Sequence, residues 1–179
     1  MSKKLFAALL FVVFSSVFAT AGGVTNIKEI INRSSKVVRV STYENKALIE
    51  NGWNNWIATP ELSANGGRWT GDMWMPWADN KEQFKSHFMK IEIIEQRSEP
   101  RLNLVRAFGV YQTGEEIRFS FAREYQGRQP ANSWYLGERH YDANAPKVDG
   151  DWQSGGERRI IFSDKPDGSV GFKFERYER

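Results

Sequence analysis

The sequence predicts an all-β fold: a single-domain antiparallel β-sandwich or barrel with tryptophan-rich loops and at most one short helix. Short segments in which apolar and polar residues alternate recur along the chain, as expected for half-buried strands. Turns rich in glycine and proline separate these segments, and no stretch has the apolar spacing of a long amphipathic helix. The 179 residues are enough for one such domain with its own core.

The start of the chain has the anatomy of a secretory signal peptide. Lys3 and Lys4 precede an apolar run over residues 5–18, and Ala19-Thr20-Ala21 follows as a small-residue cleavage site. We therefore expect residues 1–21 to be removed, a β domain over residues 22–179, and a secreted or periplasmic location. The apolar run is short for a membrane span, so no transmembrane segment is expected after cleavage.

Composition argues against several classes of function. Without Lys3 and Lys4 the chain carries 23 basic and 22 acidic residues, so bulk charge gives no support for a nucleic-acid partner. Cysteine is absent, which removes disulfides and thiol chemistry and leaves the core to hold the domain. The two histidines, His87 and His140, lack metal-ligand spacing, and no Walker or dinucleotide motif is present. We expect neither a metal nor a cofactor.

The first predicted strands are residues 27–31 and 36–43. Val38 and Val40 alternate with polar neighbours, which indicates a strand. The isoleucines of the first segment are spaced as on a short helix, but the segment is brief and leads straight into a turn. We therefore predict a hairpin. Within its turn, Asn32-Arg33-Ser34 matches a glycosylation sequon, which we interpret as a plain turn.

The middle of the chain predicts one helical turn followed by a strand. Asp79-Asn80 is a plausible N-cap for one helical turn over residues 81–87. Beyond it, three apolar residues (Met89, Ile91 and Ile93) alternate with Lys90 and Glu92. This pattern predicts a strand with one face in water.

Two further hairpins are predicted towards the C-terminus. Residues 102–111 and 116–124 flank a Thr-Gly turn, and residues 159–163 and 170–177 flank a Lys-Pro-Asp-Gly turn. Arg106 is out of place among the apolar residues of its strand. Either a bulge re-aims this side chain, or it is a buried charge that needs a partner.

Five of the seven tryptophans fall within residues 53–77, set among turn-forming residues. If residues 69–77 form a strand, Trp69, Met73, Met75 and Trp77 share one face, and Trp74 lies with Asp72 on the other. Such a cluster either fills the core or presents a binding surface. The candidate ligand-binding residues are Trp53, Trp56, Trp69, Asp72, Trp74, Trp77, Asp79 and Asn80.

Three kinds of function fit an exposed part of this cluster. Indole rings stack on the apolar face of sugars, and nearby Asp and Asn side chains bind the hydroxyls, so glycan binding is the first hypothesis. The alternative is a membrane-lipid-binding or pore-forming protein whose tryptophans lie at the interface and whose methionines enter the lipid. A small hydrolase using Asp72 and Asp79 comes third, because glycosidases use paired carboxylates.

Overall fold

A computed structural model of the chain describes residues 23–43, 58–95, 103–122 and 141–178. The predicted signal peptide lies outside these residues. The elements in chain order are β1 (Thr25–Asn32), β2 (Val37–Tyr43), β3 (Gly67–Trp74), α1 (Lys81–Phe84), β4 (Phe88–Glu95), β5 (Asn103–Thr113), β6 (Glu116–Ala122), β7 (Asp149–Gly150), β8 (Gly156–Asp164) and β9 (Val170–Arg176).

The fold is an all-β sandwich, which confirms the predicted class. One sheet has the strand order β3-β1-β8-β9-β7 and the other has the order β2-β4-β5-β6. Most neighbours are antiparallel, but β1 runs parallel to β8, and β7 runs parallel to β9. Each sheet keeps two edge strands among the described residues, so these strands form a sandwich and do not close into a barrel.

The core lies between the two sheets and takes one face of each. Aliphatic side chains of β1, β2 and β4 meet the phenylalanines of β8 and β9 there. The inward row of β9 is Val170, Phe172 and Phe174, as the alternation predicted, and Lys173 faces solvent. The two C-terminal hairpins are confirmed as β5–β6 and β8–β9, and Gly168 adopts a φ of 79° in the second turn.

The predicted hairpin between the first two strands is wrong. β1 pairs with β3 and β8 in one sheet, whereas β2 pairs with β4 in the other. Asn32 ends β1, and its buried amide donates to the carbonyl oxygens of Lys36, Leu62 and Ser63 at 2.7–3.0 Å. The side-chain oxygen of Asn32 accepts from Ser34. These bonds hold the segment between β1 and β2, and the buried amide supports the interpretation of this triplet as a turn rather than a glycan acceptor.

The helix-like spacing of the isoleucines in β1 comes from an irregular strand. The register with both neighbouring strands shifts between Ile27 and Glu29, so Ile27 and Ile30 both reach the core. Three-residue spacing is normal for a helix, and a strand achieves it only where the alternation is interrupted.

The predicted wet face of β4 is also wrong. Lys90 and Glu92 are buried, although they point away from the main core. Glu92 lies 2.7 Å from the Nε atom of Arg39 on β2 and 3.2 Å from the ammonium of Lys90. Alternation identified the two faces of this strand correctly, but ion pairing lets charged side chains occupy the second face without water.

A small second core lies on that same side of the four-stranded sheet. Phe84 of α1 packs on Phe88 and Tyr111, with Tyr141 alongside. The predicted helix is confirmed: Asn80 caps it by accepting from the backbone N–H of Gln83 at 3.0 Å. The helix therefore anchors aromatic side chains over the outer face of the sheet.

Arg106 keeps its place in the core-facing row of β5. The β4–β5 register shifts between Ile93 and Ile94, so a bulge is present, but Arg106 remains opposite Ile93. Arg106 is half-buried. Hydrogen bonds from Ser169 lower the pKa of Asp167, and the charges of Lys165 and then Arg106 contribute less in the same direction. The bulge therefore does not re-aim Arg106, and the end of the sandwich accommodates its charge.

Candidate functional site

The tryptophan segment divides between the two sheets. Residues 67–74 form the edge strand β3 of the five-stranded sheet, with burial that alternates along the strand. Trp69 and Met73 face the core, whereas Asp72 and Trp74 face outward, as the alternation predicted. Trp53 and Trp56 lie outside the described residues. The structure therefore brings Trp74 and Asp72 together on one solvent-facing surface.

Trp74 is the exposed aromatic residue of this surface, with 47% of its area accessible. It is directly opposite Asn26 on β1, and Asn26 is in turn opposite Glu157 on β8. Val24, the other exposed large hydrophobic among the described residues, lies two positions before Asn26. Two exposed large apolar side chains thus lie near the same end of the sheet.

Asp72 is held beside Trp74 by two side chains of β1. The amide of Asn26 donates to Oδ1 of Asp72 at 2.7 Å, and the ammonium of Lys28 contacts the same oxygen. Asn26 also accepts from the backbone N–H of Met73 at 3.2 Å, which fixes the orientation of its amide. The carboxylate is therefore positioned by neighbours although it remains well exposed.

Lys28 connects this carboxylate to a second one. Its ammonium lies 3.8 Å from Glu157, so it is placed between Asp72 and Glu157. We call the surface formed by Trp74, Asp72, Lys28 and Glu157 the Trp74 platform. Successive same-face residues are about 7 Å apart along a strand and adjacent strands are about 5 Å apart, so the platform has roughly the dimensions of one or two sugar rings.

Trp77, Asp79 and Asn80 belong to a different network. The indole N–H of Trp77 donates to Oδ2 of Asp79 at 2.6 Å, and the hydroxyl of Thr113 donates to Oδ1 at 2.8 Å. Asn80 caps α1. Trp77 forms a bridge to Gln112 of β5, so this group is attached to the four-stranded sheet. These three residues stabilise the connection between the sheets, and Asp79 and Asp72 interact with different elements.

Trp69 has a packing role. Its side chain is half-buried against the main core and lies over Gly71, two residues further along the strand. A Cβ atom at Gly71 would be 2.6 Å from the Cζ2 atom of Trp69. Glycine at this position therefore leaves room for the indole.

Trp152 is held by a cation–π contact with Lys147. Lys147 lies 3.6 Å from the centroid of its ring, and the same ammonium pairs with Glu116 at 2.7 Å. The contacts with Lys147 and Arg118 hold the pKa of the Glu116 carboxyl below its usual range. Trp152 packs partly against the core, so this cation–π contact serves the fold.

Sequence reasoning did not find four residues of the surface around Trp74. Val24, Asn26 and Lys28 come from β1 and the residues before it, and Glu157 comes from β8. These positions carry no local motif, because pairing between strands distant in the sequence places them next to Trp74. The strand order β3-β1-β8 would have been needed to identify them.

The described residues contain no group of three His, Cys, Asp or Glu side chains placed to hold a metal ion. In the same part of the chain, no helix is long and apolar enough to cross a membrane. No protein-family model, curated protein or solved structure matches the chain.

Proposed function

We propose that the protein binds carbohydrate through the Trp74 platform. The observation that carries this proposal is an exposed indole with a positioned, exposed carboxylate two residues away on the same strand face. The C–H face of a sugar ring packs on the indole, and its hydroxyls donate to Asp72 and Glu157. A large aromatic surface with a few placed polar groups is the usual composition of a small-molecule site.

Pre-positioning of the polar groups supports the same proposal. Asn26 and Lys28 hold Asp72 before any ligand arrives, so little side-chain entropy is lost when a hydroxyl binds. The sheet beneath the platform is rigid, since β1 has a paired strand on both sides. The predicted secretion of the chain would place this surface where extracellular or cell-envelope glycans occur.

A membrane-lipid surface is the second candidate, and Val24 beside Trp74 is the observation that favours it. Two exposed apolar side chains near one end of a sheet suit shallow insertion at an interface. However, Met73 and Met75, which the sequence offered for insertion, are buried in the core. Asp72 and Glu157 would also repel anionic headgroups. We therefore rank glycan binding first.

The hydrolase hypothesis gains no support from the geometry. Asp72 interacts with β1 in one sheet, whereas Asp79 accepts hydrogen bonds from Trp77 and from Thr113 of β5 in the other. Both oxygens of Asp79 already serve as acceptors in the fold. A pair of catalytic carboxylates has to face one scissile bond, and these two belong to separate networks.

Binding to soluble oligosaccharides of glucose, galactose, mannose and N-acetylglucosamine, measured by calorimetry, tests the proposal. We expect Trp74→Ala to weaken binding about tenfold, equivalent to about 1.4 kcal/mol, without lowering the thermal stability, because the ring is exposed. Thr70→Ala is the matched control, since Thr70 is exposed on the same strand face. Binding to neutral liposomes but to none of the sugars would favour the lipid candidate and refute ours.

A further inference from the structure

The charges around Trp74 define the class of sugar, if the proposed carbohydrate function holds. The side chains of Asp72 and Glu157 are 60% and 39% exposed, whereas that of Lys28 is only 17% exposed. The ammonium of Lys28 contacts Asp72 and lies 3.8 Å from Glu157. A ligand that approaches the platform therefore meets two exposed carboxylates and a largely buried ammonium.

We infer that the Trp74 platform selects sugars that carry a protonated amine. An ammonium group placed over or beside an indole face is attracted by the negative π surface, which contributes about 0.5–1 kcal/mol at an exposed site. Asp72 is about 7 Å from Trp74 along the strand. One amino-sugar ring can therefore stack on the indole and place its ammonium near the carboxylate.

Two arginines of the same sheet face lie in a separate region. Arg68 and Arg159 both contact Glu29, which is buried, and Arg159 also pairs with Glu175 at 3.1 Å. Thr70 lies opposite Glu29 and separates that group from Asp72 along β3. Arg68 is six residues from Trp74, about 20 Å along an extended strand. These two arginines are thus paired with acidic side chains away from the indole.

Three oligosaccharides of equal length test this inference: glucosamine, N-acetylglucosamine and galacturonic acid oligomers in mildly acidic buffer. We expect the glucosamine oligomer to bind about tenfold more tightly than the neutral one, and the galacturonic acid oligomer to bind most weakly. Because exposed charges are screened by salt, the difference between the cationic and neutral oligomers should shrink as ionic strength rises.

Two variants test whether the charges of Asp72 and Lys28 set the preference for the glucosamine oligomer. Asp72→Asn preserves the shape of the side chain and removes its charge, so it should weaken binding of the glucosamine oligomer more than binding of the neutral oligomer, and the ratio of the two affinities is the readout. Lys28→Met removes the largely buried ammonium and should strengthen the preference. Lys173→Met is the matched control, because Lys173 is exposed on the same sheet but pairs with Glu175.

The outcomes separate this inference from the proposed function. Equal affinity for the cationic and neutral oligomers, or a preference for galacturonic acid, would overturn the inference and leave carbohydrate binding intact. Absence of binding to all three oligomers and to the neutral sugars would overturn both. If Trp74→Ala leaves the glucosamine affinity unchanged, the amine is recognised elsewhere, and the inference also fails.

Discussion

Replacement of Asn32 by aspartate should destabilise the fold strongly and in a pH-dependent way. The amide nitrogen of Asn32 donates to three carbonyl oxygens at 2.7–3.0 Å in a fully buried site. In Asn32→Asp an oxygen replaces that donor and faces those carbonyls, whereas the other oxygen can still accept from Ser34. The substitution changes hydrogen bonding and charge but almost no volume.

The magnitude follows from the bonds that are lost. A net hydrogen bond contributes about 1 kcal/mol, and a buried polar group without a partner costs about 1–3 kcal/mol. With three acceptors affected and a buried carboxylate introduced, we expect the free energy of unfolding to fall by about 3–5 kcal/mol near pH 7.

The pH dependence has a defined sign. Burial against carbonyl oxygens raises the pKa of the new carboxyl in the folded state above its unfolded value of about 3.9. The folded state then binds more protons than the unfolded state between the two pKa values, so stability falls as pH rises through this range. The loss relative to wild type should therefore be smaller near pH 4 than near pH 7.

Urea unfolding of wild type and variant at both pH values measures this effect. Asn144→Asp is the matched control, because Asn144 is exposed and the same chemical change there should shift stability only slightly. A loss below about 1 kcal/mol at neutral pH, or a larger loss at acidic pH, would refute the role assigned to Asn32.

Three further predictions concern packing and buried charge. Gly71→Ala should cost about 1–3 kcal/mol in chemical unfolding, because the new methyl group would collide with the ring of Trp69; unchanged stability would show that the ring is free to move. Glu92→Leu should lower the free energy of unfolding by about 3–5 kcal/mol, because it removes the carboxylate beside the buried Lys90 ammonium. The double variant Glu92→Leu/Lys90→Met should recover part of that stability, and no recovery would argue against the ion pair. Burial and the nearby Tyr141 raise the pKa of Tyr111 to about 12. The stability that the protonated Tyr111 contributes is therefore present below about pH 10 and should decline towards pH 12 in wild type. Unfolding measured across this range should show that this part of the decline is absent in Tyr111→Phe.

The sequence alone determined the fold class and much of the local structure. Alternation placed Trp69 and Met73 inward and Trp74 outward, because the pleat fixes side-chain direction within one strand. Turn chemistry located both C-terminal hairpins, and the Asn80 cap located the helix. These features depend on residues close together in the chain, which local propensity describes.

Tertiary structure decided which surfaces meet. The first two strands belong to different sheets because β1 pairs with β3 and β8 while β2 pairs with β4, and these partners are distant in the sequence. Lys90 and Glu92 are buried because ion pairing compensates for lost hydration. The alternation of apolar and polar residues in the sequence does not reveal such pairing. The Trp74 platform likewise joins β3, β1 and β8, since strand pairing across long sequence separations sets the neighbours of an exposed indole.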